Sequence, residues 1–485
     1  MKAAFLPALA GLALFVCITA APAQSPGSAG TIDGVVTDPS GSMIPGASVE
    51  VKNSITGYDR STLTDAGGAF RFLNVPPNSY QVVASAKGFA IGTQDVAVRS
   101  SVPMALKFAL SLVGERQTVT VEASGAGVLE NVPYAHSDVD RQLSAMLPTL
   151  SPGSGLSDTI TLSSPGVVAD SNGFFHPLGD HAQTSFSIDG QPISDQQSKQ
   201  FSTQIPENAI QSMELITGAP AAEFGDKTSL VVNAVTRSGL GQKPFGSFVA
   251  QYGSFGTVAE EATLGFGGAK LGDFLSANSL RTGRFLDTPE FRPFHDAGND
   301  QTIFDRLDWQ PSGSDALHLN LLAARNWFQV PNSYDQLTQD QRQKVLTYNI
   351  APGYQHTFGA GALLTVNTYL RRDQVYYYPS ADPFADTPAT VSEYRSLANY
   401  GIRADFNYVH GVHNVKVGTQ IAETRLRERF SLGITDPSFL DPLQQPGLVP
   451  FDLAAGGVVR TGKNAGDRIA GATCRRWFAR EEYNS

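Results

Sequence analysis

Three stretches of this chain alternate apolar and polar side chains residue by residue. Ile402, Ala404, Phe406 and Tyr408 are interleaved with Arg403, Asp405 and Asn407, and Val415, Val417, Thr419 and Ile421 with Lys416, Gly418, Gln420 and Ala422. Leu317, Leu319, Leu321 and Ala323 alternate less cleanly with His318, Asn320, Leu322 and Ala324. Successive side chains of a strand point to opposite faces, so each stretch predicts a strand of about ten residues with one apolar face and one polar face. A soluble sandwich would alternate too, but long strands paired in succession fit a membrane barrel with lipid outside and a polar lumen. Composition agrees. Charged residues make up only 16% of the chain, against about 25% in soluble domains. Beyond the N-terminus no run approaches the ~20 apolar residues that a membrane-crossing helix needs.

Connection lengths supply a second line of argument. Nine strands are predicted, at about 245–252, 258–267, 274–285, 301–310, 315–328, 345–358, 362–378, 399–409 and 413–430. Tight turns at 311–314, 359–361 and 410–412 alternate with long connections at 286–300, 329–344 and 379–398. Outer-membrane barrels have short periplasmic turns and long external loops. Large plugged barrels have about 22 strands, so residues 245–485 predict an incomplete transmembrane β-barrel. Segment 431–460, with Pro437, Pro442, Pro446 and Pro450, becomes an external loop, and the tail ends without a terminal aromatic. The expectation is therefore a truncated copy.

The N-terminus sets the compartment. Lys2, the apolar stretch Ala3 to Ala21 and the small-residue site Ala21-Pro22-Ala23 describe a secretory signal peptide over 1–23. Its removal takes Cys17 and leaves Cys474 as the sole cysteine, so no internal disulfide or thiolate metal cluster is expected. A formal net charge of −10 without a Lys/Arg cluster argues against nucleic acid as a partner.

Residues 30–112 carry short β-rich runs at 31–37, 47–52, 61–64, 69–73 and 80–86, separated by Asp38-Pro39-Ser40-Gly41, Asp65-Ala66-Gly67-Gly68 and Pro76-Pro77-Asn78. Closely spaced strands bounded by Gly, Pro and Asp predict a small antiparallel sandwich. Gly34 to Gly41, Pro45-Gly46-Ala47-Ser48-Val49, Thr64 to Phe70 and Lys87-Gly88-Phe89 resemble the carboxypeptidase regulatory-like domain. That resemblance implies a transthyretin-like or carbohydrate-binding-like β-sandwich and no peptidase activity.

Residues 125–239 mix helix-like and strand-like segments. Phe186 to Ile193 reads as a hairpin around Asp189-Gly190, Pro206 to Ile210 as a short helix opened by proline, and 213–218 and 231–239 as strands around a turn at 221–225. In that order they are similar to the α+β plug domain of TonB-dependent receptors, with Thr228-Ser229-Leu230 standing where that family usually carries glycines. Within the linker 113–124, Glu115 to Ala123 resembles the TonB box. Alternating Thr and Val favour an extended strand that can add to a partner sheet. The resemblance implies that Thr118, Val119, Thr120, Val121, Glu122 and Ala123 meet TonB; the same segment reads equally well as a linker or a last sandwich strand.

The fold class expected is thus mainly β: sandwich, α+β plug and partial antiparallel transmembrane barrel. The function implied is an outer-membrane TonB-dependent receptor that takes up a substrate. The alternative is a non-transporting periplasmic or surface binding protein built from sandwich and plug. Expected partners are the TonB energy-transducing complex, outer-membrane lipid and an external ligand such as an oligosaccharide, peptide or metal chelate. Candidate ligand contacts are Phe174, Phe175, His176, Asp180 and His181, grouped in a Gly/Pro-rich loop. No catalytic residue, metal site or cofactor is assigned. H-E-x-x-H and G-x-S-x-G are absent, and the phosphate-loop-like Gly457 to Asn464 has Asn464 in place of the Mg²⁺-binding hydroxyl.

Overall fold

The computed structural model describes residues 30–53, 58–75, 78–98, 104–112, 135–147, 149, 155–169, 175–177, 184–193, 203–218, 224, 229–268, 270–286, 291–292, 294–312, 314–358, 362–410, 413–435 and 460–468. The segment expected to be a signal peptide, the TonB-box-like segment and Cys474 lie outside them. No helix among the described residues is long and apolar enough to cross a membrane.

The first unit is a two-sheet sandwich. β1 (Gly30–Thr37) lies between β4 (Ala69–Val75) and β7 (Met104–Ala109) in one sheet. β3 (Tyr58–Leu63), β2 (Ser48–Asn53), β5 (Asn78–Ser85) and β6 (Gly92–Val98) form the other, in that order. Ile32 and Val36 of β1, Val49 and Val51 of β2, Phe70 and Phe72 of β4 and Val82 of β5 meet in one buried core. Strands β6 and β7 escape the sequence reading because Gly92-Thr-Gln-Asp interrupts one and Lys107 the other. The two Asp turns have one design: Asp65 Oδ1 accepts from the backbone N–H of Gly67 (2.8 Å) and Ala69 (2.9 Å), and Asp38 Oδ1 from those of Ser40 and Ser42 (both 2.9 Å).

Thr64 ties the two ends of that core together. Its buried hydroxyl accepts from Ala47 N (2.8 Å) and donates to Ile44 O (2.7 Å). Thr64→Val keeps the shape but strands both backbone groups, a loss of about 1–3 kcal/mol. Hydrogen exchange in the full chain should show reduced protection across β2 and β4, and unchanged protection would refute this role for the hydroxyl.

The second unit is a five-stranded mixed sheet with short helices α1 (Arg141–Met146) and α2 (Gly155–Ser163) beside it. Its order is β12 (Gln191–Ile193), β11 (Thr184–Ile188), β14 (Leu230–Thr236), β13 (Ile210–Gly218) and β8 (Ala135–Asp140). A separate pair joins β9 (Val167–Ala169) to β10 (Phe175–Pro177). Every residue of β14 is buried, as befits a near-continuous apolar strand covered on both faces. The expected hairpin is present, with Ile188 opposite Gln191. The proline-opened helix is a single 3₁₀ turn, Glu207–Ala209. The last strand stops at Thr236, and Arg237 to Gly239 crosses instead towards the third unit.

The third unit is one antiparallel meander of ten strands. They are β15 (Phe245–Gly253), β16 (Thr257–Gly267), β17 (Leu271–Thr282), β18 (Gly298–Trp309), β19 (Asp315–Gln329), β20 (Arg342–Phe358), β21 (Ala362–Tyr378), β22 (Ala389–His410), β23 (His413–Ile434) and β24 (Arg460–Arg468). All nine expected strands are there. β22 begins at Ala389, not 399, which shortens the preceding loop. The tenth, β24, pairs with Thr424 to Leu432 of β23. Its sequence, Arg-Thr-Gly-Lys-Asn-Ala-Gly-Asp-Arg, has no apolar alternation, so periodicity does not place it among the nine, although the tail has room for one more strand.

The alternation works as anticipated. On β22, Ile402, Phe406 and Tyr408 are exposed while Asn407 is buried; on β19, Asn320, Leu322, Ala324 and Asn326 turn inward. Two aromatic girdles flank the outward apolar band. Phe358, Phe406, Tyr408 and Trp309 lie towards the short turns, and Tyr348, Tyr376, Tyr394 and Tyr400 towards the long loops. From Tyr408 to Tyr400 is about 27 Å of strand, the scale of an outer-membrane apolar band roughly 25 Å tall. This is a wall built for the outer membrane.

Candidate functional site: the seam between plug and wall

The inward face of the wall is polar, and the mixed sheet sits against it as a plug. Contact begins at the hairpin tip. Asp189 (φ 49°) and Gly190 (φ 80°) both take left-handed backbone, as a two-residue turn of this kind requires. A Cβ on Gly190 would lie 2.4 Å from Asn367 Nδ2 of β21, so the tip is pressed against the wall.

At that tip Asp189 becomes the centre of a buried ion cluster. Its carboxylate accepts from Thr236 N (3.0 Å), Thr236 Oγ1 (2.6 Å), Asn320 Nδ2 of β19 (2.6 Å) and Arg306 Nη1 of β18 (3.1 Å). Arg306 is fully buried; it also donates to Thr236 Oγ1 (2.9 Å) and through Nε and Nη2 to Asp308 (3.1 and 2.9 Å). Asp308 in turn accepts from Ser238 Oγ (2.6 Å). Burial alone would raise the Asp189 carboxyl, but the charge of Arg306 and the Thr236 donors hold it below its ordinary range.

Further contacts have the same polar character. Gln191 and Asn349 exchange two amide hydrogen bonds (2.8 and 3.2 Å). Arg371 Nη2 donates to Thr203 O (2.9 Å) while its Nε is paired with Asp373 (2.9 Å). Asn208 accepts from Ser276 Oγ (2.6 Å) and donates to Asn278 Oδ1 (2.9 Å) and to Glu261 Oε2 (3.2 Å). Apolar contact is concentrated at Phe274, Phe304 and Leu322, which close the core of the plug from the wall side. Arg237 lies over the rings of Phe274 (4.5 Å) and Phe245 (5.0 Å) and donates to Asn208 O (3.1 Å). Burial and the nearby Arg141 pull its guanidinium down to about 9, which still leaves it charged at neutral pH. Cation–π contact over two rings partly replaces its lost hydration.

A seam of this kind holds position yet can let go. Each neutral hydrogen bond is worth only about 0.5–1.5 kcal/mol net, because water replaces it when the surfaces part. The ion cluster sets register, since a misplaced plug would bury unpaired charge.

The cluster was not anticipated, although a signal was present. Arg306-x-Asp308, Arg371-x-Asp373 and Arg403-x-Asp405 repeat one spacing. Residues i and i+2 share a strand face, and each Arg pairs with its strand-mate at 2.7–2.9 Å. Of the expected ligand contacts, Phe174, Asp180 and His181 lie outside the described residues. Phe175 is buried in the plug core, its ring 5.9 Å from that of Phe186. His176 is half-buried on β10, opposite Val168. Thr118 to Ala123 also fall outside the described residues. Among the described residues no three His, Cys, Asp or Glu side chains converge so as to hold a metal ion.

Comparison with known proteins adds the following. Residues 31–111 match the carboxypeptidase regulatory-like domain. The TonB-dependent transporter Oar of Myxococcus xanthus is 26% identical over 226 residues, covering 43% of this chain and 20% of that protein. Among solved structures, the alcaligin outer-membrane receptor FauA of Bordetella pertussis aligns with 64% of this chain and 49% of its own (15% identity, TM-score 0.47). The ferripyoverdine receptor of Pseudomonas aeruginosa aligns with 67% and 48% (12% identity, TM-score 0.47). The chain thus spans about a fifth of the curated relative and about half of these structures. Residues 31–111 carry a carboxypeptidase regulatory-like domain, and over 226 residues the chain is a homologue of the TonB-dependent transporter Oar.

Proposed function

We propose that this chain acts in TonB-powered uptake across the outer membrane, as a receptor whose plug is displaced when TonB pulls on Thr118 to Ala123. The observation that carries this reading is the seam: a plug seated in an outward-apolar wall through hydrogen bonds and one ion cluster. A pull applied at the N-terminal side of the plug would exchange those bonds for water at modest cost. Phe174, His176, Asp180 and His181 are the proposed ligand contacts, together with the Phe175 segment that packs in the plug core. The alternative is a non-transporting periplasmic or surface binding protein built from the sandwich and plug.

Two measurements separate these readings. The full chain expressed in a Gram-negative host should fractionate with the outer membrane and resist carbonate extraction. Recovery in the soluble periplasm would favour the binding-protein alternative. For the TonB step, the double variant Val119→Pro/Val121→Pro removes two backbone donors from a strand that must pair. Pull-down by the periplasmic domain of TonB should then fall about tenfold, from the loss of two or so hydrogen bonds and strand geometry. Equal capture of both forms would refute the box assignment.

A further inference from the structure

The outward face changes character above the apolar band. Cross-strand register defines three adjoining tiers on the long-loop side. The first runs Arg281, Asn299, Trp327, Lys344, Tyr376, Tyr394, Arg429; the next includes Arg325 and Arg427; the third, Arg372 and Arg425. Arg281, Arg372, Arg427 and Arg429 are exposed. Below these tiers the same strands present Ile350, Leu370, Ile402 and Ile421. The belt therefore begins where the apolar band ends.

Its cations are positioned by largely neutral groups. Arg325 Nη1 donates to the side-chain oxygens of Asn299 (2.6 Å) and Gln301 (3.1 Å), Arg372 Nε to Ser396 Oγ (3.2 Å), and Lys344 Nζ lies 5.2 Å from the Tyr376 ring centroid. Arg425 has a carboxylate partner, Glu423, at 2.7 Å, and Glu260 of β16 faces outward at the level of Arg325. The excess is still strongly positive, in a chain whose net charge is −10.

We propose that this belt binds the phosphate groups of anionic lipid in the outer leaflet. This rests on the outer-membrane reading above. Planar guanidinium forks suit phosphate oxygens bidentately, and nearly every cation here is arginine. Strand spacing of about 4.8 Å and tier spacing of about 6.8 Å put Arg325 and Lys344 on adjacent strands one tier apart, and Arg372 and Arg425 in one tier two strands apart, within the span of one diphosphoryl headgroup. A lipid fits better than a soluble anion, because the belt is a ribbon continuous with the apolar band, where acyl chains lie directly beneath it.

The test uses the full chain in phosphatidylcholine vesicles, with and without diphosphoryl lipid A, and counts the lipid retained after detergent extraction by native mass spectrometry. The unmodified chain should insert into both and enrich lipid A in a salt-sensitive way. Arg372→Gln/Arg427→Gln/Arg429→Gln should retain about a hundredfold less, since three cations are removed and each near an anionic surface contributes about 1 kcal/mol. The matching triple Lys variant should keep most of it. Insertion without enrichment overturns the belt and spares the outer-membrane reading. Release by dilute inorganic phosphate overturns it in favour of a plain anion patch. Failure to insert into either vesicle overturns both. If the Gln variant does not fold, the two vesicle types compared on the unmodified chain still decide.

Discussion

Arg306→Ala should unseat the plug. The change removes the one cation between two buried carboxylates, Asp189 on the plug and Asp308 on the wall, each about 3 Å from its guanidinium. Breaking a buried pair by removing one partner typically costs about 3–5 kcal/mol, because the remaining charge is left uncompensated. Here two are left. The expected readout is a lower urea midpoint in detergent and faster proteolysis within the plug. Arg306→Lys keeps the charge but loses the fork that reaches Asp189 and Asp308 together, so it should fall between. Asp189→Asn should be milder, since Arg306 keeps Asp308. A midpoint for Arg306→Ala indistinguishable from the parent would remove the cluster from any account of seating. Acid should mimic the loss. The seated Asp189 carboxyl titrates below its free counterpart. Its contribution is therefore complete above the free value of about 3.9 and disappears as pH falls through the depressed one.

The other large effect is expected where the chain passes from plug to wall. A Cβ on Gly272 would sit 2.2 Å from Leu240 N, and one on Gly239 only 2.1 Å from Asp273 O. These are backbone atoms, held by the hydrogen bonds Gly241 N to Gly268 O (3.0 Å) and Gly267 N to Gln242 O (3.2 Å). Flexible side chains cannot move aside to relieve the clash. Gly272→Val should therefore exceed the roughly 1–3 kcal/mol of ordinary overpacking and sharply reduce the heat-modifiable folded form in outer membranes. Gly268→Ala, whose Cβ meets nothing within 4 Å, is the matched control and should be close to silent. Equal yields from both variants would show that the crossing tolerates separation.

What was legible in the sequence followed periodicity. A strand with lipid on one face and water or plug on the other writes its register into every second residue, so Ile402 to Tyr408 and Leu317 to Ala323 declared both structure and orientation. Asp189-Gly190 declared its turn through backbone sterics. β24 was silent because none of Arg460 to Arg468 is strongly apolar, and its pairing is supplied by β23. The seam was hidden for another reason. Asp189, Asn320 and Arg306 are far apart in the chain and meet only after two sheets have formed; no local pattern encodes that meeting. Arg306-x-Asp308 was readable as a same-face pair, but its partner across the seam was not. Phe175 shows another limit of local reading: an aromatic in a polar loop invites a ligand role, and its packing against Phe186 in a core is not written in its neighbours.

The repeated Arg-x-Asp pairs bear on what happens when the lumen is empty. Because Arg306, Arg371 and Arg403 each neutralise a carboxylate two residues along their own strand, the wall's strand-paired charges stay balanced without the plug. Withdrawal leaves the electrostatic burden on the departing piece, chiefly Asp189, which can regain water or accept a proton as it leaves. A design that removes the stopper could therefore leave these three pairs as they stand.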